Sequence, residues 1–211
     1  MNRRHLLRLA ALPAALALAA CGKRRPSTAP LQPGAQVLAL GDSLTRGYGA
    51  TPAQAWPARL AALTGWQVVN EGVNGDTSAG ALQRLDELLD AGTYDAILIG
   101  IGGNDMLRGV PLQSTRDNLA AIVRKAREHT PYVAVIATPE PQAARAAIGM
   151  LGDAAFYAEV AGAEQVLLIP GVYAKVLSDT SLRSDRIHAN AQGYAAIGER
   201  LAEILEAAGW R

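Results

Sequence analysis

Short apolar runs that alternate with stretches of helical periodicity constrain the fold of this chain more than any other feature. The alternation begins at Gln36 and continues to the C-terminus. Apolar residues spaced three or four positions apart are typical of helices that bury one face, and short apolar runs are typical of buried strands. We predict strands over residues 36–40, 67–71, 96–100, 132–137 and 165–169.

This order of elements predicts an α/β fold in three layers, with about five parallel strands and helices on both faces of the sheet. The chain of 211 residues is long enough for one substantial domain, and it has no internal repeat. In such sheets, functional groups gather at the carboxyl ends of the strands, near the point where the strand order reverses. The loops after the first three strands are therefore the places where functional residues are expected.

The N-terminal residues differ in character from the rest of the chain. A basic start is followed by a short apolar stretch that contains a proline and by small residues before Cys21. This pattern is typical of an export signal, and the apolar stretch is too short for a membrane span. We assign residues 1–20 to a signal peptide, the polar, proline-rich residues 21–35 to a flexible tether, and residues 36–211 to the folded domain.

The sequence Leu-Ala-Ala-Cys at positions 18–21 resembles the lipobox of bacterial lipoproteins, whose cysteine becomes the lipid-modified first residue of the mature chain. Cys21 is the only cysteine, so a disulfide within the chain is excluded. The resemblance implies a lipid, such as palmitate, on Cys21 and a membrane anchor. Gly22 is not a signal for retention at the inner membrane, so we expect attachment to the outer membrane, facing the periplasm or the cell surface. The alternatives are an incidental cysteine, and export by either the general or the twin-arginine route.

Charge and composition argue against a nucleic-acid partner. The formal net charge is only +1, and aromatic residues make up 5% of the chain. A protein that binds nucleic acid usually carries a strongly basic surface or aromatic side chains on which bases stack. The sequence therefore favours a small-molecule partner, and it has no feature that indicates an oligomeric state.

Four polar and glycine-containing blocks punctuate the predicted domain at the expected places. They read "GDSLT" at 41–45, "EGVNGDTSAG" at 71–80, "GIGGNDMLRG" at 100–109 and "SDRIHANAQGY" at 184–194. In this order they resemble the SGNH hydrolases, also called GDSL esterases and lipases, over nearly all of the domain. The branch they resemble most is that of bacterial arylesterases, thioesterases and lysophospholipases. The resemblance implies a flavodoxin-like SGNH hydrolase fold and ester hydrolysis without a metal or cofactor.

The resemblance makes Ser43 the nucleophile, which must be activated by a base because a serine hydroxyl is inert at neutral pH. The mature chain offers His129 and His188 as bases. His129 ends a basic helical stretch, where histidines commonly meet the last carbonyls of a helix. His188 follows Asp185 by three residues, so the carboxylate can hold one ring nitrogen while the other faces Ser43. An alternative role for Asp185 is to cap the last helix.

The resemblance also implies an oxyanion hole formed by the N–H of Ser43, the N–H of Gly75 and the side-chain amide of Asn104. Glycine can turn its amide toward a site without a side chain in the way, and a neutral amide donates without adding charge. The alternative is that Gly75 and Asn104 only build turns. Asp42 is expected to hold the loop of the nucleophile rather than to react.

The substrate is less closely defined than the reaction. Met106, Leu107 and Val110 are expected to form an apolar wall for the acyl chain, or alternatively to pack their loop onto the next helix. Ala189 stands where the family usually has a proline, and residues 138–154 are short for the branch. Alternatives to a general carboxylesterase are an O-acetylesterase acting on cell-wall or surface sugars, and a lipoprotein that keeps this fold only to bind. A flavodoxin-like cofactor binder lacks support because no glycine-rich phosphate loop follows the first strand.

Overall fold

The computed structural model describes residues 29–142, 144–145 and 148–211. It contains one sheet of five parallel strands, as predicted, in the order β2-β1-β3-β4-β5. The strands are β1 (Gln36–Gly41), β2 (Gln67–Gly72), β3 (Ala96–Gly100), β4 (Tyr132–Ile136) and β5 (Leu167–Ile169). The helices are α1 (Ser43–Arg46), α2 (Trp56–Thr64), α3 (Ser78–Ala91), α4 (Gly103–Leu107), α5 (Leu112–His129), α6 (Phe156–Ala163), α7 (Val172–Ser178) and α8 (Ala191–Ala207), with 3-10 turns at Pro52–Gln54 and Thr180–Leu182.

The last strand is shorter than its apolar run predicts. The run begins at Gln165, but β5 begins only at Leu167. Gln165 has a φ of 54°, which is a left-handed conformation that an extended strand cannot include. The chain therefore turns at Gln165 before it enters the edge of the sheet.

Alternate residues of the strands feed two cores, one on each face of the sheet. On one face, Val37 and Ala39 of β1 join Trp56 of α2 and Leu201 of α8 in the first core. On the other face, residues of β1 such as Leu38 join side chains of α3, α5 and α6 in the second core. Because side chains of a strand point alternately to opposite faces, a strand buried on both faces is apolar throughout. The predicted three-layer α/β architecture is confirmed.

The strand order reverses beside β1. The chain passes from β1 to β2 on one side and then returns to β3 on the other side of β1. A crevice forms at the carboxyl ends of strands where successive connections diverge in this way. Ser43 comes two residues after the end of β1, so it lies at this reversal.

The part of the predicted tether that the structure describes, residues 29–35, contacts the domain. The N–H of Leu31 donates to the carbonyl of Trp210 at 2.9 Å, and the side chain of Leu31 packs against the first core. The N–H of Gly34 donates to the carbonyl of Gly65 at 2.8 Å. These residues therefore differ from the flexible segment expected there, because the two hydrogen bonds and the partly buried side chain of Leu31 hold them to the domain. Residues 1–28, including Cys21 and the predicted signal peptide, lie outside the described residues.

No helix in the described ranges combines the length and the apolar character needed to cross a membrane.

Candidate active site

Ser43 stands at a sharp change from strand to helix. Gly41 ends β1, and Asp42 caps the four-residue helix α1 by accepting a hydrogen bond from the N–H of Leu44 at 2.9 Å. Asp42 is only 3% exposed, so its side chain fixes the loop from within the protein. Ser43 is the first residue of α1 and is half-buried. Asp42 therefore holds the loop of the nucleophile.

His188 and Asp185 lie on a loop between α7 and α8 that backbone hydrogen bonds close at both ends. The N–H of Ser184 donates to the carbonyl of His188 at 3.0 Å, and the N–H of Asn190 donates to the carbonyl of Leu182 at 2.9 Å. Ala189, which replaces the expected proline, is fully buried and pairs with Arg183 in a short antiparallel bridge. Hydrogen bonds within the loop therefore hold its conformation without a proline ring.

Asp185, His188 and Ser43 form a continuous chain of hydrogen bonds. Oδ2 of Asp185 lies 2.8 Å from Nδ1 of His188, and Nε2 of His188 lies 2.9 Å from Oγ of Ser43. An ionised carboxylate can only accept, so Nδ1 carries the proton and Nε2 accepts from the hydroxyl of Ser43. The ring of Tyr48 packs against the ring of His188 with their centroids 4.5 Å apart. This arrangement places a base in position to deprotonate Ser43.

Asp185 is held in its ionised form by its own loop. Partial burial raises the pKa of Asp185, but the N–H of Ile187 and the ring and N–H of His188 lower it by more, and the net pKa lies below its usual range. The two N–H groups donate to Oδ1 at 2.8 Å each, which leaves Oδ2 for the imidazole. His129, in contrast, is exposed at the last residue of α5, just before β4 begins. It therefore lies at the amino edge of the sheet, opposite Ser43.

Asn104 contacts the loop that contains Gly75. Nδ2 of Asn104 donates to the carbonyl of Asp76 at 2.9 Å and lies 3.5 Å from Oδ2 of Asp42. Gly75 has a φ of 75°, a conformation that side chains other than glycine rarely adopt. Within the described ranges, no hydrogen bond of the protein uses the N–H of Ser43 or of Gly75. Both amides therefore remain able to donate to a bound group.

Three side chains outside the predicted set of site residues hold these loops in place. Nη2 of Arg84 donates to the carbonyls of Gly41 and Glu71 at 3.1 and 2.9 Å, and its Nε donates to Asp76 at 3.0 Å. The side chain of Arg108 donates to the carbonyl of Gly75 at 2.8 Å. The third is Asp105. Its carboxylate accepts from the N–H of Ser78 at 2.8 Å and from the hydroxyl of Ser78 at 2.5 Å.

Only the placement of Asp105 and Arg108 beside Asn104 in the block "GGNDMLRG" could have indicated such roles. Their partners lie 27 and 33 positions away in the sequence. Arg84 stands in the middle of α3 and carries no local signal. The supporting contacts depend on the packing of distant segments, which periodicity does not specify.

Burial also changes the ionisation of Asp42. Desolvation and the nearby carboxylates of Asp76 and Asp105 together raise the pKa of Asp42 from 3.8 to about 7, although the hydrogen bond from the N–H of Leu44 lowers it. Asp42 is therefore partly protonated near neutral pH. Its protonated form can donate a hydrogen bond toward its surroundings, whereas its ionised form can only accept.

A cavity of about 270 Å³ opens beside Ser43. Of the three residues predicted to form an acyl wall, Leu107 lines this cavity, whereas Met106 packs against the second core and Val110 does not border the cavity. Met106 and Leu107 are neighbours in the helix α4, so their side chains point in different directions, and of the two only Leu107 turns toward the cavity. The other lining residues are Asp42, Ser43, Leu44, Gly103, Asn104, Thr138, Pro139, Glu140, Pro141, Gln142, Leu151, Leu177, Arg186, Ile187 and His188.

A larger and more open groove of about 930 Å³ lies on the far side of Leu151, which borders both spaces. It contains none of the residues predicted for the site, and its walls come from residues 149–153 and 170–180. Ser43 and His188 line the smaller cavity, and Asp185 is hydrogen-bonded to His188, so the smaller cavity is the candidate active site.

A parallel α/β sheet that presents a serine, a histidine and an aspartate at the reversal of strand order, beside free amide donors, defines a serine hydrolase. The sequence profile of the GDSL-like Lipase/Acylhydrolase family matches residues 39–196. This chain belongs to that family and is a serine ester hydrolase.

Several characterised proteins are similar to this chain over most of their length. The arylesterase of Vibrio mimicus is 32% identical over 178 residues, covering 81% of this chain and 88% of the relative. The thioesterase 1/protease 1/lysophospholipase L1 of Escherichia coli K12 is 34% identical over 177 residues, covering 81% of this chain and 83% of the relative. Among solved structures, the psychrotrophic esterase EstA from Pseudoalteromonas sp., inhibited by monoethylphosphonate, is 25% identical with a TM-score of 0.72, covering 82% of this chain and 97% of EstA.

Proposed function

We propose that this chain hydrolyses carboxylic esters of short to medium acyl chains through an acyl-enzyme formed on Ser43. The observation that carries the proposal is the chain of hydrogen bonds from Asp185 through His188 to Ser43, with steps of 2.8 and 2.9 Å. The relatives support the reaction class, since one is named an arylesterase and another a thioesterase and lysophospholipase.

The reaction follows from the protonation states of the three residues. His188 takes the proton of the Ser43 hydroxyl as Oγ attacks the ester carbonyl, and Asp185 stabilises the imidazolium that forms. The tetrahedral intermediate collapses as His188 gives this proton to the leaving alcohol, so the acyl group remains on Oγ. A water molecule then attacks the acyl-enzyme, gives its proton to His188, and releases the acid as Ser43 regains a proton.

The negative charge that develops on the carbonyl oxygen needs donors already in place. We assign this role to the N–H of Ser43, the N–H of Gly75 and Nδ2 of Asn104. One hydrogen of the Asn104 amide is donated to the carbonyl of Asp76, and the other has only a long contact of 3.5 Å with Oδ2 of Asp42, which an oxyanion would replace. Each such donor typically contributes about 3 to 4 kcal/mol to stabilisation of the transition state.

The proposed roles are tested by comparing p-nitrophenyl ester hydrolysis among Ser43→Ala, His188→Ala and His129→Ala. Ser43→Ala should reduce kcat by several orders of magnitude, and His188→Ala should be nearly as damaging because the two residues act as one unit. His129→Ala is the matched control and should retain wild-type activity, since His129 is exposed at the opposite edge of the sheet. A serine-directed phosphonate should label Ser43. Equal losses in the two histidine variants, or labelling at Ser78 or Ser184, would contradict the assignment.

The acyl preference is assigned to the apolar cavity beside Ser43. Each buried methylene contributes at most about 0.8 kcal/mol, which is about a fourfold gain in kcat/KM per carbon until the cavity is filled. Butyrate to octanoate esters should therefore be hydrolysed faster than acetate in a panel from acetate to palmitate. Leu107→Ala should flatten this preference. Leu112→Ala should not, because Leu112 is as exposed as Leu107, 50% against 49%, but does not border the cavity.

A strong preference for acetate that Leu107→Ala leaves unchanged would contradict the acyl assignment and favour an O-acetylesterase. The panel should then be extended to acetylated xylan and acetylated peptidoglycan. Hydrolysis of these sugars in preference to all aryl esters would identify the alternative activity.

We further propose that the mature protein is a lipoprotein anchored through Cys21 and attached to the outer membrane. The proposal is supported by the sequence Leu-Ala-Ala-Cys at 18–21, by the absence of a second cysteine, and by Gly22. Cells that express the wild type should incorporate labelled palmitate into the protein, and Cys21→Ser should abolish the label. Palmitate that persists in Cys21→Ser, or wild-type protein that fractionates with the inner membrane, would contradict the respective part of this proposal.

A further inference from the structure

Arg186 is a cation that faces the ester-binding cavity. It lies on the loop of the catalytic histidine, and it lines the cavity with Ile187 and His188. Its side chain is exposed and takes part in no ion pair or hydrogen bond with the residues that the structure describes. Its positive charge is therefore available to a bound molecule.

The carboxylates around the cavity are already engaged. Asp185 accepts two N–H groups of its own loop and the ring of His188. Glu140, which also lines the cavity, accepts a hydrogen bond from Gln142 at 2.5 Å. Asp42 is buried and accepts from the N–H of Leu44. None of the three lies within ion-pair distance of Arg186, so its charge is not neutralised in the described structure.

Other arginines near the site are committed to the protein itself. Arg84 donates to the carbonyls of Gly41 and Glu71, and Arg108 donates to the carbonyl of Gly75. Among the described residues that line the cavity, Arg186 is the one lysine or arginine. A guanidinium presents parallel N–H groups that match a carboxylate or phosphate, and it remains charged at every pH at which the enzyme works.

The position of Arg186 in the chain indicates which part of an ester it would meet. The leaving oxygen must approach Nε2 of His188 to receive its proton, and Arg186 precedes His188 by two residues on the same loop. The alcohol portion of the substrate, rather than the acyl portion, would therefore lie near Arg186. We propose that Arg186 binds an anionic group, phosphate or carboxylate, on the alcohol portion of the ester, and so selects anionic esters.

This inference rests on the proposed ester hydrolysis and names a class of substrate for the same site. It is tested with butyrate esters that differ in the charge of the alcohol. Butyrylglycerol phosphate is compared with neutral monobutyrin, and butyrylglycolate with neutral butyrylglycolamide. Monomethyl glutarate, compared with methyl butyrate, places the carboxylate on the acyl portion instead.

The measured quantity is the ratio of kcat/KM for the anionic ester to that for its neutral partner. Because the ratio is compared between wild type and variants, differences in intrinsic reactivity and general damage to the His188 loop both cancel. Arg186→Gln should lower this ratio about three- to tenfold for at least one ester whose alcohol portion is anionic. The change should appear mainly in KM, because Arg186 would bind the anionic group equally in the ground state and in the transition state. Arg186→Lys should restore part of the ratio.

Arg183→Gln is the matched control. Arg183 belongs to the same loop and carries the same charge, but it does not border the cavity. Its ratio should equal that of the wild type. The wild-type ratio should also fall between low salt and about 0.5 M sodium chloride, because partly exposed charges are screened.

The outcomes separate the inference from the function on which it rests. A lower ratio in Arg186→Gln than in wild type, for the phosphate pair or for the carboxylate pair, supports the inference and identifies the anion. Ratios that are equal in wild type and Arg186→Gln for both pairs would overturn it, as would an effect confined to monomethyl glutarate or an equal effect of Arg183→Gln. If wild type and Arg183→Gln hydrolyse no neutral ester at all, the proposed function itself is wrong.

Discussion

Replacing Asp105 by alanine should be among the most destabilising single changes in this protein that leave Ser43 and His188 untouched. Asp105 is 1% exposed, and its two oxygens accept from the N–H and the hydroxyl of Ser78, with Thr115 at 3.4 Å. These contacts tie α4, which carries Asn104, to the beginning of α3. The carboxylate thus connects the two halves of the proposed oxyanion hole.

The size of the effect follows from these bonds. A hydrogen bond to a charged group contributes about 1.5 to 3 kcal/mol, and Asp105→Ala removes two short ones and leaves two buried donors of Ser78 unpaired. Removing the charge also relieves the cost of burying it, so the net loss should be about 3 to 4 kcal/mol. For a domain of this size that corresponds to a fall in Tm of about 6 to 16 °C.

Urea unfolding followed by circular dichroism measures this loss directly. Asp105→Asn is the control, because its amide can accept from the N–H of Ser78 and donate to the hydroxyl, and it should cost only about 1 kcal/mol. A loss below 1 kcal/mol for Asp105→Ala, or a larger loss for Asp105→Asn than for Asp105→Ala, would refute the reasoning.

Three further changes test other supports of the site. Asn104→Ala should lower kcat about 10²- to 10³-fold with a small change in KM, as steady-state kinetics would measure, because an oxyanion donor acts mainly in the transition state. Arg84→Met should lower the free energy of unfolding in urea by about 2 to 3 kcal/mol, because the carbonyl of Gly41 loses its donor. Arg59→Met is the control, since it breaks only an exposed ion pair, and it should lower the free energy of unfolding by less than about 1 kcal/mol. Burial raises the pKa of Asp42 to about 7, so the native protein binds more protons than the unfolded protein between about pH 4 and pH 7. The free energy of unfolding should therefore fall by a few kcal/mol as the pH rises through this range. Asp42→Asn should remove this fall, as urea unfolding at several pH values would measure.

The features that could be predicted from the sequence are those with local signatures. The strands are apolar because both faces of the sheet are covered, and four of the five begin where the apolar runs begin. Ser43, Gly75, Asn104 and His188 stand in blocks whose residue types match the chemistry of a serine hydrolase. The structure brings Ser43, Asn104 and His188 to one crevice because each block follows a strand of the same sheet or precedes the last helix.

The features that could not be predicted depend on distant contacts or on local geometry that changes which side a residue faces. Arg84 in an amphipathic helix has the pattern of a solvent-facing residue, yet it reaches two strand ends. Met106 and Leu107 are equally apolar, but the helical turn of α4 directs one to the core and the other to the cavity. Residue type alone cannot distinguish them.

The order in which the site residues occur along the chain has a consequence for the time at which activity begins during synthesis. Ser43, Gly75 and Asn104 are synthesised well before Asp185 and His188, whose loop leads directly into α8. A nascent chain that has folded all five strands still lacks its base. A chain that ends before residue 188 therefore keeps its nucleophile, but it has no base with which to activate Ser43 and cannot hydrolyse esters by this route.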